Sequence, residues 1–184
     1  MLRWFLRRQI AAFQATWSYN ADYMLEVIDA DPRAFMRFGK VIGMARYRKD
    51  VPAAPYYAAS IVGTMTEDCG PCTQLVIDMA ERDGVDPAIL RAVVARDFVA
   101  MPFEVALAAR YAEASLRHAP GADELREEVL CHWGKRGLIS LAFAITAARL
   151  FPTLKYALGH GRACTRLRVG GEIQPVLRQV SRAA

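Results

Sequence analysis

Two cysteines separated by two residues come closest, in this 184-residue chain, to naming a chemistry by their spacing. They lie in TEDCGPCTQLVIDMA, residues 66–80, as Cys69-Gly70-Pro71-Cys72 at the start of a helical pattern. At a helix N-terminus, free backbone N–H groups and the positive end of the helix dipole favour thiolate over thiol. Pro71 has no N–H to give, which a first helical turn tolerates. Glu67 and Asp68 precede the pair directly. Either carboxylate can cap the helix, and either opposes thiolate formation if it lies close to sulfur.

Three uses of the pair fit these residues. Dithiol–disulfide exchange suits an isolated CxxC at a helix start. A zinc site needs about four ligands, and the candidates are Cys69, Cys72, Cys131 and His132. Cys131 and His132 are adjacent in a helical stretch and direct their side chains to one ion with difficulty, so no metal is expected. The third use is structural, two small semi-buried residues in a helical core. Elsewhere the signals are weaker. Cys131 shares a helix with apolar positions and reads as buried filler, and Cys164 falls in a basic tail as an exposed thiol. His118 stands at a helix end, where it complements the dipole. His132 reads as packed or solvent-facing, and His160 follows Gly159 in a turn.

Holding such a pair at a helix start requires helices around it, and helical spacing dominates the chain. Asp31-Pro32 opens a helix with Asp as N-cap and Pro at the first helical position. Phe35, Phe38, Ile42 and Ala45 then recur at helical intervals. A loop with Pro52 and Pro55 leads into a small-residue helix over residues 56–65. The cysteine helix ends near Gly84, a suitable C′ residue, and Asp86-Pro87 repeats the capping device before AILRAVVARDF. Pro102 starts FEVALAARYAEASLRH, which Pro120-Gly121 stops. Asp123 is placed to cap ELREEVLCHWGKRG, an apolar helix covers residues 138–150, and Pro152 interrupts the chain before LKYALG. No alternating strand pattern is convincing, and the tail after Gly161, with Gly170-Gly171, reads as irregular and mobile. The spacing predicts an all-α domain of roughly seven or eight helices.

At this length one domain buries a large core without disulfide or metal staples. Residues 1–184 are read as that single domain, with 1–30 as an N-terminal helical extension and 161–184 as a basic tail. Hydrophobic residues make up 54% and charged residues 23%, a modest apolar excess that points to surface buried in a homo-oligomer. The formal charge is +5, with basic residues dispersed among acidic ones. The clusters Arg3, Arg7, Arg8 and Arg162, Arg166, Arg168 read as solvated termini. No motif with interleaved aromatics supports a nucleic-acid partner. The opening MLRWFLRRQIAAF is basic and amphipathic, with apolar runs too short for a signal-peptide core. Residues 138–150 are interrupted by Thr146 and Arg149 and too short for a membrane span; they are the leading candidate for a subunit interface, with burial inside their own subunit as the alternative. A cytoplasmic location is expected, where a CxxC serves catalysis or metal binding.

From the cysteine pair onward, CGPCTQLVIDMAERDGVDPAILRAVV looks like the CxxC helix, glycine turn and following helix of the alkylhydroperoxidase D-like branch of the carboxymuconolactone decarboxylase superfamily. GLISLAFAITAARLFPTLKYALG resembles the apolar C-terminal helix pair of the same family, and the likeness covers roughly residues 35–160. It implies an alkylhydroperoxidase D-like all-helical fold, association through apolar helix faces, and a thiol-dependent peroxidase or disulfide oxidoreductase without a bound cofactor. In that scheme Cys72 attacks peroxide and Cys69 resolves the sulfenic acid to a disulfide. A lipoyl-type or thioredoxin-like dithiol then recycles the enzyme. The relay positions differ from the family's. Val76 stands where redox members carry a histidine four residues after the second cysteine, and Pro71 where several carry one just before it. Tyr57 stands near the place of the relay glutamate. Valine cannot move a proton, and tyrosine is a weak acid near neutrality. Tyr57, Glu67, Asp68 or no residue then replaces the relay, and Gln74 can orient a ligand but not act as a base. The alternative is a relative without redox activity, a helical oligomeric binding protein with structural cysteines.

Overall fold

The computed structural model describes residues 1–162 and 166–175. Among them the helices run α1 Leu2–Trp17, α2 Asp22–Ala30, α3 Pro32–Phe38, α4 Lys40–Ala45, α5 Ala53–Thr66, α6 Gly70–Arg82, α7 Pro87–Ala95, α8 Phe103–Arg117 and α9 Ala122–Ala157. α3 and α4 meet at Gly39, whose dihedrals stay helical. They form one bent element, and the all-α domain of seven or eight helices expected from the spacing is what the chain builds. The two Asp-Pro starts hold: Asp31 accepts from the Arg33 amide and Asp86 from the Ala88 amide, each at 2.8 Å. Each bond satisfies a donor that has no partner inside its helix.

α5 occupies the centre. Its sequence AAPYYAASIVGTMT is small or apolar on every side, so it is buried along most of its length among α6, α8 and α9. Gly63 sets the approach of α9, because a Cβ there would stand 2.8 Å from the Ala148 Cβ, well inside the optimum carbon–carbon separation of about 3.5–4.0 Å.

The sequence divides the C-terminal half into separate helices around Pro152. α9 runs from Ala122 to Ala157 as two helical stretches across a kink at Gly134 (φ 67°, ψ −176°), close to the division expected after Gly137, while Pro152 is accommodated inside the second stretch instead of interrupting it. Helix continues past the proline because Phe151, Leu154 and Leu158 have apolar partners to meet. Gly121, not Asp123, takes the N-cap position, and Asp123 pairs with Arg126. By length and composition α9 is long and apolar enough to cross a bilayer. Its buried residues, however, pack on α5 and α8 as those of a core helix do.

Part of the tail expected to be irregular is a β-hairpin. β1 Arg166–Val169 pairs antiparallel with β2 Glu172–Pro175, Val169 opposite Glu172. Gly170 (φ 58°) and Gly171 (φ 82°) fill the two left-handed positions that such a two-residue turn demands. The alternation sends Leu167 and Val169 into the core against α6 and α7. Four-residue strands were too short to stand out as a pattern. Cys164 lies outside the described residues.

Buried side chains form two clusters. The larger gathers α5 to α9 and the hairpin. The second packs Leu6, Ile10, Tyr23, Ile28 and Phe35 from α1 to α3 with Phe151, Leu154 and Leu158 near the end of α9 and Leu75 on α6. Residues 1–30 are thus a structural half of this second core. α6 lies on the seam, with Ile77 and Ala80 in one cluster and Leu75 toward the other. The cysteine pair begins α6 at that seam.

Candidate functional site

Between α5 and α6 the chain turns through Asp68, in the left-handed region at φ 48°. Cys69 is the N-cap of α6, followed by Gly70, Pro71 and Cys72 in the first turn. Cys69 and Cys72 form a disulfide across that turn, with their Cα atoms 5.3 Å apart. The Thr73 amide and hydroxyl both donate to the Cys69 carbonyl, at 2.9 and 3.0 Å, and fix the turn. Support for a thiolate from the helix start is smaller than the sequence suggests. The Gly70 amide donates to the Arg162 carbonyl at 3.3 Å, and Pro71 has no N–H. Glu67 and Asp68 do not cap the helix; no side chain does.

The expectation of open sulfurs needs correction as well. Cys69 is 0% and Cys72 4% exposed. Part of the cover, on the Cys72 side, is the corner between α1 and α2. Ser18, left-handed at φ 47°, ends α1, and Asn20 closes a small turn by accepting the Asp22 amide at 3.0 Å. Tyr19 is thereby turned inward, its ring edge-on to Phe13 and its hydroxyl 3.6 Å from Cys72 Sγ. A disulfide sulfur carries no proton, so the tyrosine O–H is the donor.

Behind Tyr19 stands Lys155, 3% exposed on the apolar face of α9. Its ammonium donates to the Tyr19 hydroxyl at 3.4 Å and to the Asn20 carbonyl at 3.2 Å. It lies 4.5 Å from the Tyr19 ring centre and 5.5 Å from that of Tyr23. Among the described residues, no carboxylate is within ion-pair distance of it. Burial pulls the Lys155 pKa below its ordinary value; Arg162 adds to this and Asp22 opposes it. Burial pushes the Tyr19 phenol up. Tyr23 is pushed far above its usual range by burial first and then by its neighbour Tyr19. The result is a directed chain, Lys155 ammonium to Tyr19 hydroxyl to Cys72 sulfur, at the seam of the two cores.

The relay candidates drawn from sequence lie elsewhere. Tyr57 donates to Asp83 at 2.8 Å, at the far end of α6 and about 16 Å along the helix from Cys72. The reason is that α5 and α6 form a tight helical hairpin, which sets early α5 beside late α6. The phenol is pushed above its ordinary range by burial and then by Asp83. Glu67 pairs with Arg149 at 2.5 Å and accepts from Thr153 at 3.4 Å. The Asp68 carbonyl accepts from Tyr156 at 2.9 Å. Val76 is half-buried against the main core. The Gln74 amide is committed, donating to Asp78 and to the Arg168 carbonyl and accepting the Arg168 amide. It anchors the hairpin rather than a ligand.

The histidines stay clear of sulfur: His132 bonds Glu104 at 2.9 Å, His160 bonds Glu26 at 2.8 Å, and His118 is the left-handed C-cap of α8. Cys131 is exposed rather than buried filler. No group of metal-ligating side chains occurs among the described residues. A surface groove of about 440 Å³ lies between α8 and α9, lined by Tyr111, Ser115, Ile145, Arg149 and Leu150, and does not include the cysteines.

Tyr19 and Lys155 are the residues that sequence reasoning missed. Lys155 did carry a signal. It is the one charged residue in FPTLKYALG, four after Phe151 and three before Leu158, hence on the apolar face. Tyr19 carried none. No protein-family model, no curated protein and no solved structure matches this chain.

Proposed function

We propose that the chain is a thiol-dependent oxidoreductase of the alkylhydroperoxidase D-like type, cycling Cys69 and Cys72 between disulfide and dithiol. The observation that carries this reading is the disulfide at the first turn of α6 whose Cys72 sulfur meets a tyrosine hydroxyl backed by a buried lysine. Beside the disulfide that ammonium faces no carboxylate among the described residues, which leaves it free to serve an anion formed at sulfur. The resemblance of CGPCTQLVIDMAERDGVDPAILRAVV to the redox branch of that family supports the same reading. In the forward half-cycle the Cys72 thiolate attacks a hydroperoxide oxygen, the O–O bond breaks, and the departing alkoxide takes a proton from solvent to leave as the alcohol. The Cys69 thiol then attacks the Cys72 sulfenic acid, forming the S–S bond and releasing water. A lipoyl-type or thioredoxin-like dithiol returns two electrons and two protons. Such a cycle belongs in a reducing cytoplasm, where an idle disulfide would not persist.

Burial of the closed pair makes the α1–α2 corner part of the cycle, because a partner dithiol reaches Cys72 from that side only after Tyr19 moves aside. Subunit association is part of the proposal too. Ile139, Phe143 and Leu150 of α9 remain exposed on one face, suited to a second copy of the chain.

The same burial favours a second reading, a helical binding protein in which the disulfide is structural. The deciding test is hydroperoxide consumption by the full chain with a dithiol donor. Turnover that Cys72→Ser abolishes supports the oxidoreductase. Absence of turnover, together with a disulfide that thiols fail to reduce in the folded protein, leaves the structural reading.

A further inference from the structure

Lys155 stands beside the disulfide with two hydrogen bonds and two ring faces but no opposite charge among the described residues. Its side chain is buried, it faces no carboxylate among the described residues, and both of its bonds go to neutral oxygens. A charge removed from water without a counter-ion is costly, and hydrogen bonds and ring faces offset that cost only in part; an anion forming beside it in another state of the protein is favoured there by the same charge. Only one nearby group becomes an anion through the chemistry proposed above. Breaking the Cys69–Cys72 bond leaves a sulfur at Cys72, and the path from there to the ammonium is a 3.6 Å contact followed by a 3.4 Å bond through one hydroxyl.

We infer that Lys155, acting through the Tyr19 hydroxyl, is the counter-charge that holds Cys72 as the thiolate of the reduced pair. This rests on the oxidoreductase reading and deepens it. Tyr19 touches the reacting sulfur and is catalytic; Lys155 is a positioning residue that orients and polarises it. The assignment gives the two cysteines distinct states. Two electrons and one proton enter the pair, giving a Cys69 thiol and a Cys72 thiolate. The second proton released by the donor dithiol goes to solvent, with Lys155 already protonated. The groups facing this centre are Tyr19 and Asn20 from the α1–α2 corner, Asp22 and Tyr23 from α2, Cys69 from α6, and Arg162 from the segment after α9. Asp22 and Arg162 act on Lys155 in opposite directions. Tyr19 and Tyr23 stay protonated because burial resists their ionisation. Proton transfer from tyrosine is therefore not the role assigned; hydrogen bonding to the thiolate is.

The two legs of the path through the Tyr19 hydroxyl put the ammonium at most about 7 Å from sulfur, and a unit charge at that distance with an effective dielectric near 20 raises thiol acidity roughly ten- to hundred-fold. The test uses the full chain with Cys69, Cys131 and Cys164 replaced by serine, so that Cys72 is the remaining thiol. Its ionisation is followed by thiolate ultraviolet absorbance against pH, with the corresponding Cys72→Ser protein as blank. Lys155→Met is expected to lower Cys72 acidity ten- to hundred-fold, Tyr19→Phe to lower it by a smaller factor, and Lys155→Arg to restore most of it. Tyr19→Phe keeps the packed ring, so it remains informative if Lys155→Met folds poorly. An unchanged Cys72 titration in folded Lys155→Met and Tyr19→Phe proteins overturns the inference.

Peroxide turnover by the unmodified chain, measured alongside, separates the two claims. Turnover with a Lys155-independent titration removes the counter-charge and keeps the oxidoreductase. A Lys155-dependent titration without turnover keeps the counter-charge and removes the oxidoreductase.

Discussion

At the scale of single residues, the buried ammonium of Lys155 has a measurable consequence in the oxidised protein. Burial lowers its pKa in the folded chain, while the unfolded chain keeps the ordinary value of about 10.4. Between those two values the unfolded state binds the extra proton, so stability rises with pH across that window. Lys155→Met is expected to abolish this slope and to stabilise the oxidised protein near neutrality by about 1 kcal/mol or more. Urea unfolding of both proteins from neutrality to about pH 9 checks it. Tyr19 and Tyr23 act in the opposite sense at higher pH. Their pKa values are raised by burial, so the unfolded chain ionises first and stability falls once pH exceeds about 10. A second residue-scale prediction concerns Tyr57. Its hydroxyl serves Asp83 and not sulfur, so Tyr57→Phe should cost about 0.5–1.5 kcal/mol while leaving peroxide consumption at the wild-type rate. A drop in rate with unchanged stability would return Tyr57 to the site.

Among elements, the α1–α2 corner covers the disulfide on the side of Cys72. It is pinned by Leu6 and Ile10 in the second core, by the Arg7–Asp29 ion pair, by Arg82 over Trp17 and by the His160–Glu26 bond. Ile10→Ala removes buried contacts at a cost of about 2–5 kcal/mol. Part of that loss falls on local opening of the corner, so reduction of the Cys69–Cys72 bond by a fixed concentration of dithiothreitol should be faster than in wild type. An equal rate would mean that sulfur is reached by another route. The α5–α9 contact is a separate element-scale case. Gly63→Ala forces a methyl against Ala148 and should destabilise the protein by about 1–3 kcal/mol, read as a lower thermal midpoint.

For the whole molecule, two cores share two helices, α6 and the long α9. α6 passes between the five-helix cluster and the N-terminal cluster, and the disulfide, Tyr19 and Lys155 meet where they join. The remaining unburied apolar surface on α9 includes Ile139 and Phe143. Replacing both with glutamate should give a smaller particle by light scattering with an unchanged circular-dichroism spectrum. A particle of the same mass would exclude this face of α9 as the contact between copies.

How much of this could be read from the chain follows from how far each determinant reaches. Asp31-Pro32 and Asp86-Pro87 start helices through bonds to an amide two residues away, so those boundaries, the helical class and the CxxC at a helix start are written in local sequence. The passage of α9 through Pro152 and the burial of Leu167 and Val169 in a hairpin are not, because both depend on apolar partners distant along the chain. The same holds for the site. Tyr19 is 53 residues from Cys72, and Lys155 is 136 residues from Tyr19. Local capping and periodicity set where the cysteines stand; only packing of the first helices against the end of the last decided what surrounds them.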